Sequence, residues 1–377
     1  MTSYYNGTLD KQIKSRTIKN INGLEVHFLE SGKKDFSKGL IVLLHGFPEL
    51  SYSWRKIIPI LSNNGYHVIA PDQRGFGMTL GGDCSYTSDL TSYNHENLSL
   101  DIYSLIKTLG YENVKCIIGH DSGSGVAGFS ALTRPNFYQS LIMMSAPYSG
   151  VSDFSKIDKD SYIPITDAID KDLALLSVPR KHYQSYYRQN DANGHIMNCE
   201  GGLRAFFRAY YHFKSADWKN NLPFQLIEWT AKELSKMPTY YIMNKNETMA
   251  DTVINNMPSD EEIENCKWLT NDDIDIYANE YTRTTFQGGL NWYRASVDFD
   301  NLKELSGFSD NKISIPSLFI SGKNDWGIYQ KPGSIDQMKS YNVDFRGIEL
   351  INNAGHWVQQ EKPIEVASKI LSFVSHL

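Results

Sequence analysis

The stretch that decides the fold lies at residues 114–128 and reads VKCIIGHDSGSGVAG. Its first five residues predict a short strand buried on both faces, and a glycine-rich turn follows them. The segment after the turn, 124–132, has the pattern of a helix. A strand, a tight turn and a helix in this order form the repeating unit of a sheet with parallel strands.

Similar units occur on both sides of this stretch. The sequence predicts further strands at 23–29, 40–44, 67–70, 140–145, 317–320 and 347–351, and helices at 54–61, 98–109 and 364–373. Repeated units of this kind predict an α/β fold with a mostly parallel sheet and helices on both faces.

The middle of the chain has a different character. Residues from about 150 to 300 lack apolar strand runs and are rich in Tyr, Trp, Asn and Lys. Amphipathic helical pieces are predicted near 205–213, 226–234 and 272–285. We therefore predict a core domain of residues 1–147 and 305–377, with a mainly helical cap, or lid, of residues 148–304 inserted into it.

Composition limits the classes of function. The chain has 377 residues, of which 41% are hydrophobic and 21% charged, as in ordinary globular proteins. A net charge of −6 argues against a nucleic-acid-binding surface. We expect no membrane span, since no apolar run approaches about 18 residues, and no metal or cofactor. The start of the chain lacks a signal-like apolar segment, so a cytoplasmic location is expected, and a homodimer is possible.

The glycine-rich turn allows two functional interpretations. Gly123, Gly125 and Gly128 fit the G-x-G-x-x-G pattern of dinucleotide-binding proteins. The strand that follows, SLIMMSAPYS, lacks the acidic residue that such sites require, so this interpretation is disfavoured. The turn also fits a nucleophile elbow with Asp121 at its centre. The structural alternative is that Asp121 only caps the following helix.

Two more polar residues follow predicted strands. Asp325 comes after the strand SLFIS, and His356 comes after GIELI. The order nucleophile, acid, histidine, each beyond the carboxyl end of a strand, is typical of the α/β-hydrolase fold. We therefore predict a catalytic triad of Asp121, Asp325 and His356. The backbone N–H groups of Phe47, in a segment that follows another strand, and of Ser122 are predicted to form the oxyanion hole.

A carboxylate nucleophile indicates a particular chemistry. It attacks a saturated carbon and forms an alkyl ester, which water activated by His356 then hydrolyses. The substrate must carry a leaving group on that carbon, such as an epoxide oxygen or a halide. An epoxide oxygen needs proton donors such as Tyr hydroxyls, whereas a halide needs N–H donors such as indole.

From Leu43 to its C-terminus the chain resembles the α/β-hydrolase-fold epoxide hydrolases, in particular the hydrolase domain of the soluble type. The motifs are HGFPELSYSWR (45–55), DQRGFG (72–77), GHD (119–121) and AGHWVQQEKP (354–363). Two further segments, HYQSYY (182–187) and TFQGGLNWYR (285–294), match those that bear the family's epoxide-activating tyrosines. The resemblance implies that Tyr183 and Tyr293 have this role, that the substrates are a small-molecule epoxide and water, and that the product is a vicinal diol.

One position departs from the family pattern. The family usually has Trp directly after the nucleophile, where this chain has Ser122. Haloalkane dehalogenases use an indole there to hold halide, which disfavours a haloalkane or haloacid dehalogenase with the same triad. A non-catalytic ligand-binding protein is the third hypothesis. We predict that the substrate pocket is lined by Phe47, Pro48, Trp326 and Trp357.

Overall fold

The computed structural model describes residue 5 and residues 7–377, except for the side chain of Phe36. In this part of the chain the strands β1 to β10 are Lys14–Ile21, Leu24–Ser31, Leu40–Leu44, His67–Pro71, Cys116–His120, Leu141–Met144, Arg180–His182, Ile242–Asn244, Ser317–Gly322 and Phe345–Ile351.

The helices α1 to α16 are Ile57–Asn63, His95–Thr108, Ser122–Thr133, Ile165–Leu173, Tyr183–Tyr187, Ala192–Met197, Gly202–Lys214, Ala231–Leu234, Met249–Ile254, Asp260–Asn265, Asn271–Thr284, Gln287–Ala295, Phe299–Leu305, Ser334–Tyr341, Val358–Glu361 and Pro363–Ser375. Short 3₁₀ turns lie at Lys34–Phe36, Ser51–Trp54, Leu90–Tyr93, Lys159–Ser161, Ser306–Phe308 and Trp326–Ile328. Among the described residues, no helix combines the length and apolar character needed to cross a membrane.

Eight of the strands form one twisted sheet in the order β1-β2-β4-β3-β5-β6-β9-β10. From β4 to β10 along this order all neighbours are parallel, and β2 pairs with β1 and β4 in the antiparallel sense. The strands β3 to β6 are buried along their whole length, as their continuous apolar sequences predict. The predicted α/β fold with a mostly parallel sheet and helices on both faces is confirmed.

The structure differs from the sequence prediction in several elements. The strand predicted at 114–118 is β5, which lies two residues later and includes Gly119 and His120. The strand β1 was not predicted because its sequence is mostly polar, and most of its residues are exposed while it pairs with β2. The helix predicted at 226–234 shortens to α8, because the Thr230 side chain accepts a hydrogen bond from the Glu233 N–H and so caps the helix there.

The inserted segment, defined here as residues 145–316 between β6 and β9, is mainly helical, as predicted. It also contains one unpredicted pair of three-residue strands, β7 and β8. Buried side chains join it to the rest of the molecule: Arg55 Nε lies 2.9 Å from Asp273 Oδ1, and the Tyr52 hydroxyl donates to the same oxygen at 2.7 Å. Arg55 also donates to Gln360 Oε1 at 2.7 Å. The domain boundaries at 147/148 and 304/305 stay predictions.

We expect Asp273→Asn to lower the free energy of unfolding by about 3 kcal/mol, because it leaves the buried Arg55 guanidinium without its charge partner. The matched control is Asp275→Asn, which removes an ion pair on the same helix, α11, with Arg204. The Arg204 and Asp275 side chains are 59% and 30% exposed, so the control should lose less than about 1 kcal/mol. Urea denaturation measures both losses, and equal losses would contradict the role given to Arg55 and Asp273.

Candidate active site

Asp121 occupies the turn between β5, which ends at His120, and α3, which begins at Ser122. Its backbone has φ 52° and ψ −123°, a conformation that is strained for a residue with a side chain. Glycines make room for this turn, since a Cβ on Gly119 would lie 2.1 Å from the Gly123 carbonyl oxygen. The Asp121 side chain caps no N–H of α3, so the structural alternative of a helix cap is not realised.

The structure brings the three predicted triad residues together. His356 Nε2 lies 3.3 Å from Asp121 Oδ2, and His356 Nδ1 lies 3.2 Å from both carboxylate oxygens of Asp325. The N–H of Gly327 donates to Asp325 Oδ1 at 2.6 Å and fixes the orientation of that carboxylate. His356 and Asp325 are each about 1% exposed, so the imidazole is held away from bulk water. This arrangement places a base between two carboxylates.

Backbone N–H groups also face Asp121. The N–H of Phe47 donates to Asp121 Oδ1 at 3.1 Å. Ser122 is the first residue of α3, where an N–H group has no acceptor within the helix. The Phe47 N–H, one of the two predicted oxyanion-hole donors, therefore contacts the Asp121 carboxylate, and the role of the Ser122 N–H stays a prediction. The Phe47–Pro48 peptide bond is cis.

Both carboxylates of the triad are held in the charged form. Burial opposes ionisation of Asp121, but His356, Lys214 and His120 outweigh it and hold the pKa of Asp121 well below its usual range. The pKa of Asp325 is lowered in the same way: burial raises it, and His356, the Gly327 N–H and Lys214 more than offset that effect. Asp121 is therefore a carboxylate at neutral pH, as a nucleophile requires.

Lys214 is a residue of this site that the sequence interpretation missed. It ends α7, and only 4% of it is exposed. Its ammonium lies 5.0 to 5.9 Å from the ring centroids of four aromatic residues, Tyr210, Tyr240, Tyr241 and Trp357. Such ring faces attract a cation and stabilise it away from water. The i, i+4 spacing of Tyr210 and Lys214 was a local sequence signal for one of these contacts.

The backbone of the histidine loop is held by the inserted segment. The N–H of His356 donates to the Lys214 carbonyl oxygen at 2.9 Å. Glu361 Oε2 accepts from the N–H groups of Gly355 and Ala216, at 2.8 and 2.9 Å, and Glu361 Oε1 accepts from Trp357 N–H at 3.0 Å. The side chain of Glu361 thus joins the loop that bears His356 to the inserted segment, and burial raises the pKa of its carboxyl group to about 8.

A buried ion pair lies beneath the elbow. His120 Nδ1 lies 2.7 Å from Glu49 Oε2, and His120 Nε2 lies 2.7 Å from the His356 carbonyl oxygen. Burial lowers the pKa of His120, but Glu49 raises it by more. Because both His120 nitrogens are engaged with these partners, the ring supports the elbow and the histidine loop instead of acting as a base.

The two predicted tyrosines face the nucleophile from the inserted segment. Tyr183 begins α5 and Tyr293 lies in α12, with ring centroids 6.1 Å apart. The Tyr183 hydroxyl donates to Gln330 Oε1 and accepts from Gln184 Nε2, both at 3.1 Å. Burial, together with the charge of Asp121, raises the pKa of both tyrosines well above 10, so both remain proton donors.

These residues surround a cavity of about 220 Å³. Its lining comprises Phe47, His95, Asp121, Ser122, Gly125, Ala146, Pro147, Tyr148, Tyr183, Gln184, Gly289, Trp292, Tyr293, Ser296 and Gln330. Neighbouring tyrosines of the α5 segment are excluded from it: Tyr186 contacts His195, and the Tyr187 hydroxyl lies 3.4 Å from that of Tyr210. The lining residues His95, Gln184 and Gln330 were not predicted from the sequence. His95 begins α2, Gln184 lies in α5 and Gln330 follows the 3₁₀ turn Trp326–Ile328, so tertiary structure decides that they meet.

Three of the predicted pocket residues lie outside this lining. The Trp357 indole N–H donates to the Tyr211 carbonyl oxygen at 2.9 Å, which turns the ring away from the cavity. Trp326 packs against Phe224, with ring centroids 5.0 Å apart. The carbonyl of Pro48 accepts a hydrogen bond from the Tyr211 hydroxyl at 3.4 Å. Of the four residues predicted for the pocket, the lining therefore includes Phe47 alone.

Comparisons with known proteins agree with this fold. A family model described as the alpha/beta hydrolase fold matches residues 39–167. The chain is 28% identical over 375 residues to epoxide hydrolase B of Mycobacterium tuberculosis, which covers 96% of this chain and 98% of that protein.

Solved structures have the same fold. The crystal structure of epoxide hydrolase A from Mycobacterium thermoresistibile superposes with a TM-score of 0.72 and 27% identity, covering 96% of this chain and 98% of that one. Potato epoxide hydrolase I, at 23% identity, has a TM-score of 0.73 over 97% of this chain and 100% of its own, which shows the shared fold. The fold and these full-length similarities confirm that the chain resembles the α/β-hydrolase-fold epoxide hydrolases.

Proposed function

We propose that the protein hydrolyses epoxides to vicinal diols through an alkyl ester on Asp121. The observation that carries this proposal is the position of an ionised Asp121, 3.3 Å from His356 Nε2, in one cavity with the hydroxyl-bearing rings of Tyr183 and Tyr293. A carboxylate nucleophile, a base and two proton donors are the groups that ring opening and ester hydrolysis need. Residues 148–304 act as the cap that supplies the tyrosines.

In the first step an Asp121 carboxylate oxygen attacks one carbon of the oxirane. The bond from that carbon to the ring oxygen breaks, and its electron pair stays on the oxygen. That oxygen takes a proton from Tyr183 or Tyr293, so the product is a hydroxyalkyl ester of Asp121 and one tyrosinate. Because the developing alkoxide is protonated as it forms, the ring opens without a free alkoxide.

In the second step His356 Nε2 takes a proton from water, and the hydroxide oxygen attacks the carbonyl carbon of the Asp121 ester. The N–H groups of Phe47 and Ser122 stabilise the resulting oxyanion. Collapse releases the diol alkoxide and restores the carboxyl group. The two protons of the water end on the diol and on the tyrosinate, which regenerates the carboxylate of Asp121. Asp325 stabilises the imidazolium and fixes its orientation.

Halide release from the same triad has weaker support. That reaction requires N–H donors that can hold a halide beside the nucleophile. Trp292 lines the cavity, but its indole N–H already donates to the Arg74 carbonyl oxygen at 2.9 Å. Diol formation from a panel of epoxides, with halide release from haloalkanes in parallel, decides between the two activities. Tight binding without turnover would instead indicate a non-catalytic ligand-binding protein.

The cytoplasmic location and the homodimer stay predictions. The four cysteines, Cys84, Cys116, Cys199 and Cys266, are unpaired, which is the state expected in a reducing compartment. Cell fractionation and light scattering of the purified protein test the two predictions separately.

We expect His356→Gln to trap the ester intermediate, because attack on the epoxide no longer leads to hydrolysis. Mass spectrometry of the variant after incubation with a reactive epoxide should show a gain equal to the mass of that epoxide, located on Asp121. The double variant His356→Gln/Asp121→Ala is the control and should show no gain. A His356→Gln variant that forms no diol and also carries no adduct would contradict the covalent mechanism.

Replacing both cavity tyrosines should remove most of the assistance to ring opening. Proton donation contributes about 100-fold or more, so we expect Tyr183→Phe/Tyr293→Phe to slow ester formation by at least about 100-fold, and each single change by less. The matched control is Tyr186→Phe, a tyrosine of the same short helix outside the cavity, which should keep the rate within about twofold. Rapid mixing measures these rates, and a double variant near the normal rate would refute the assignment.

The rate of ester formation should not decline as the pH rises to about 10. Ordinary tyrosines have a pKa near 10, so about a quarter of the molecules would then keep both protons and the rate would fall about fourfold. Because the pKa of Tyr183 and that of Tyr293 are raised, both hydroxyls stay protonated at that pH. A rapid-mixing pH series that shows such a fourfold decline would contradict this expectation.

A further inference from the structure

A second cavity adjoins the one that contains Asp121. It has a volume of about 200 Å³, and its wall shares His95, Trp292 and Ser296 with the first cavity. Apolar side chains form much of the remaining wall, among them Leu98, Val151, Leu302 and Leu305. Ser152, an exposed residue, also belongs to this wall, so the second cavity reaches the surface. The shared residues make the two cavities neighbours, one of which contains Asp121 while the other reaches solvent.

His95 stands where the two cavities meet. It is the first residue of α2, and its ring lies against two aromatic rings, stacked on Phe129 at 6.0 Å and edge-on to Tyr148 at 6.3 Å between centroids. The ring needs the small residue opposite it, because a Cβ on Gly125 would lie 2.8 Å from His95 Nε2. Ser122, three residues before Gly125 on α3, is also small. No large side chain of α3 therefore separates Asp121 from the His95 ring.

The His95 ring is polar, and no hydrogen bond joins either of its nitrogens to the described residues. Burial lowers the pKa of His95 to about 4, so the imidazole is neutral at neutral pH. A neutral imidazole has one donor and one acceptor nitrogen, and aromatic packing on Phe129 and Tyr148 fixes its orientation. The donor nitrogen and the acceptor nitrogen are therefore both free to bond with a substrate group that enters the cavities.

The charges of the residues that line the two cavities limit which substrate group can contact His95. Asp121 is the charged residue among those that line the two cavities in the described part of the chain. An anionic substituent would lose its hydration without gaining a cationic partner and would be repelled by Asp121. A hydroxyl, carbonyl or amide group suits a neutral imidazole, and a hydrocarbon tail suits the apolar wall beyond it.

We propose that His95 and the second cavity form a specificity subsite for neutral epoxides with a hydrogen-bonding group on an otherwise apolar tail. The oxirane lies at Asp121, the polar group contacts His95, and the tail lies between Leu98, Val151, Leu302 and Leu305. This inference rests on the proposed epoxide hydrolysis and adds its substrate class. His95 acts on selectivity, since it takes no part in either chemical step.

The test compares matched epoxides on the complete protein. One set carries a single hydroxyl moved carbon by carbon along the alkyl tail, and its reference is the parent epoxyalkane. One position of the hydroxyl should raise kcat/KM about tenfold over the parent, the size of effect that a well-placed hydrogen bond produces. His95→Phe, which keeps a ring against Phe129 and Tyr148, should reduce that ratio to near one.

Two further variants separate hydrogen bonding from packing. His95→Gln keeps a donor and an acceptor and should retain part of the preference. His195→Phe, a histidine in α6 outside both cavities, should leave the ratio unchanged. Turnover of the parent without any hydroxyl preference, or a preference that survives in His95→Phe, would overturn the subsite and leave epoxide hydrolysis intact. Absence of diol from every epoxide would overturn the proposed function and the subsite with it.

Discussion

The site depends on the backbone of Asp121, which is held at a positive φ at the end of the central strand β5. The surroundings compensate for this strain: Asp121 N–H donates to the Met144 carbonyl oxygen at 3.0 Å, and its own carbonyl accepts from Ser124 N–H at 2.9 Å. The first of these bonds exists because β5 and β6 are parallel neighbours whose carboxyl ends lie side by side, and the second is formed at the start of α3. The strained turn directs the carboxylate away from α3 and into the cavity.

A carboxylate at this position needs electrostatic stabilisation. Two carboxylates, Asp121 and Asp325, lie on either side of one imidazole, and all three side chains are largely buried. Charges in such a site are stable only with compensation. The structure supplies it through His356, through the ammonium of Lys214 and, beneath the elbow, through His120 paired with Glu49.

The inserted segment has two effects on the site. Through the carbonyl of Lys214 and the N–H of Ala216 it holds the histidine loop, and through α5 and α12 it brings Tyr183 and Tyr293 to the cavity that contains Asp121. The buried Arg55–Asp273 pair fixes part of this segment to the core. Movement of the segment would therefore alter the base and the proposed proton donors together. Ser122 and Gly125 are small, so the larger side chains of His95, Trp292 and Tyr148 form the wall of the cavity near them.

Patterns of local sequence determined the α/β architecture, the inserted position of the helical segment and the three residues of the predicted triad. Apolar strand runs and strand-end polar residues carry this information, because the carboxyl ends of parallel strands meet at one edge. Tyr183 and Tyr293 were recognised through resemblance to a family, since spacing alone did not separate Tyr183 from Tyr186 and Tyr187.

Tertiary structure alone decided the rest. The roles of Lys214, Glu361 and His95 depend on partners that are distant along the chain, such as Trp357, Ala216 and Tyr148. Trp326 and Trp357 are aromatic residues beside triad members, yet neighbouring residues turn both rings out of the cavity. The hydrophobic periodicity of a sequence indicates which face of a helix or strand is apolar. Which side chain lines a cavity, and which charge lies beside a carboxylate, is set by contacts between elements that no local pattern encodes.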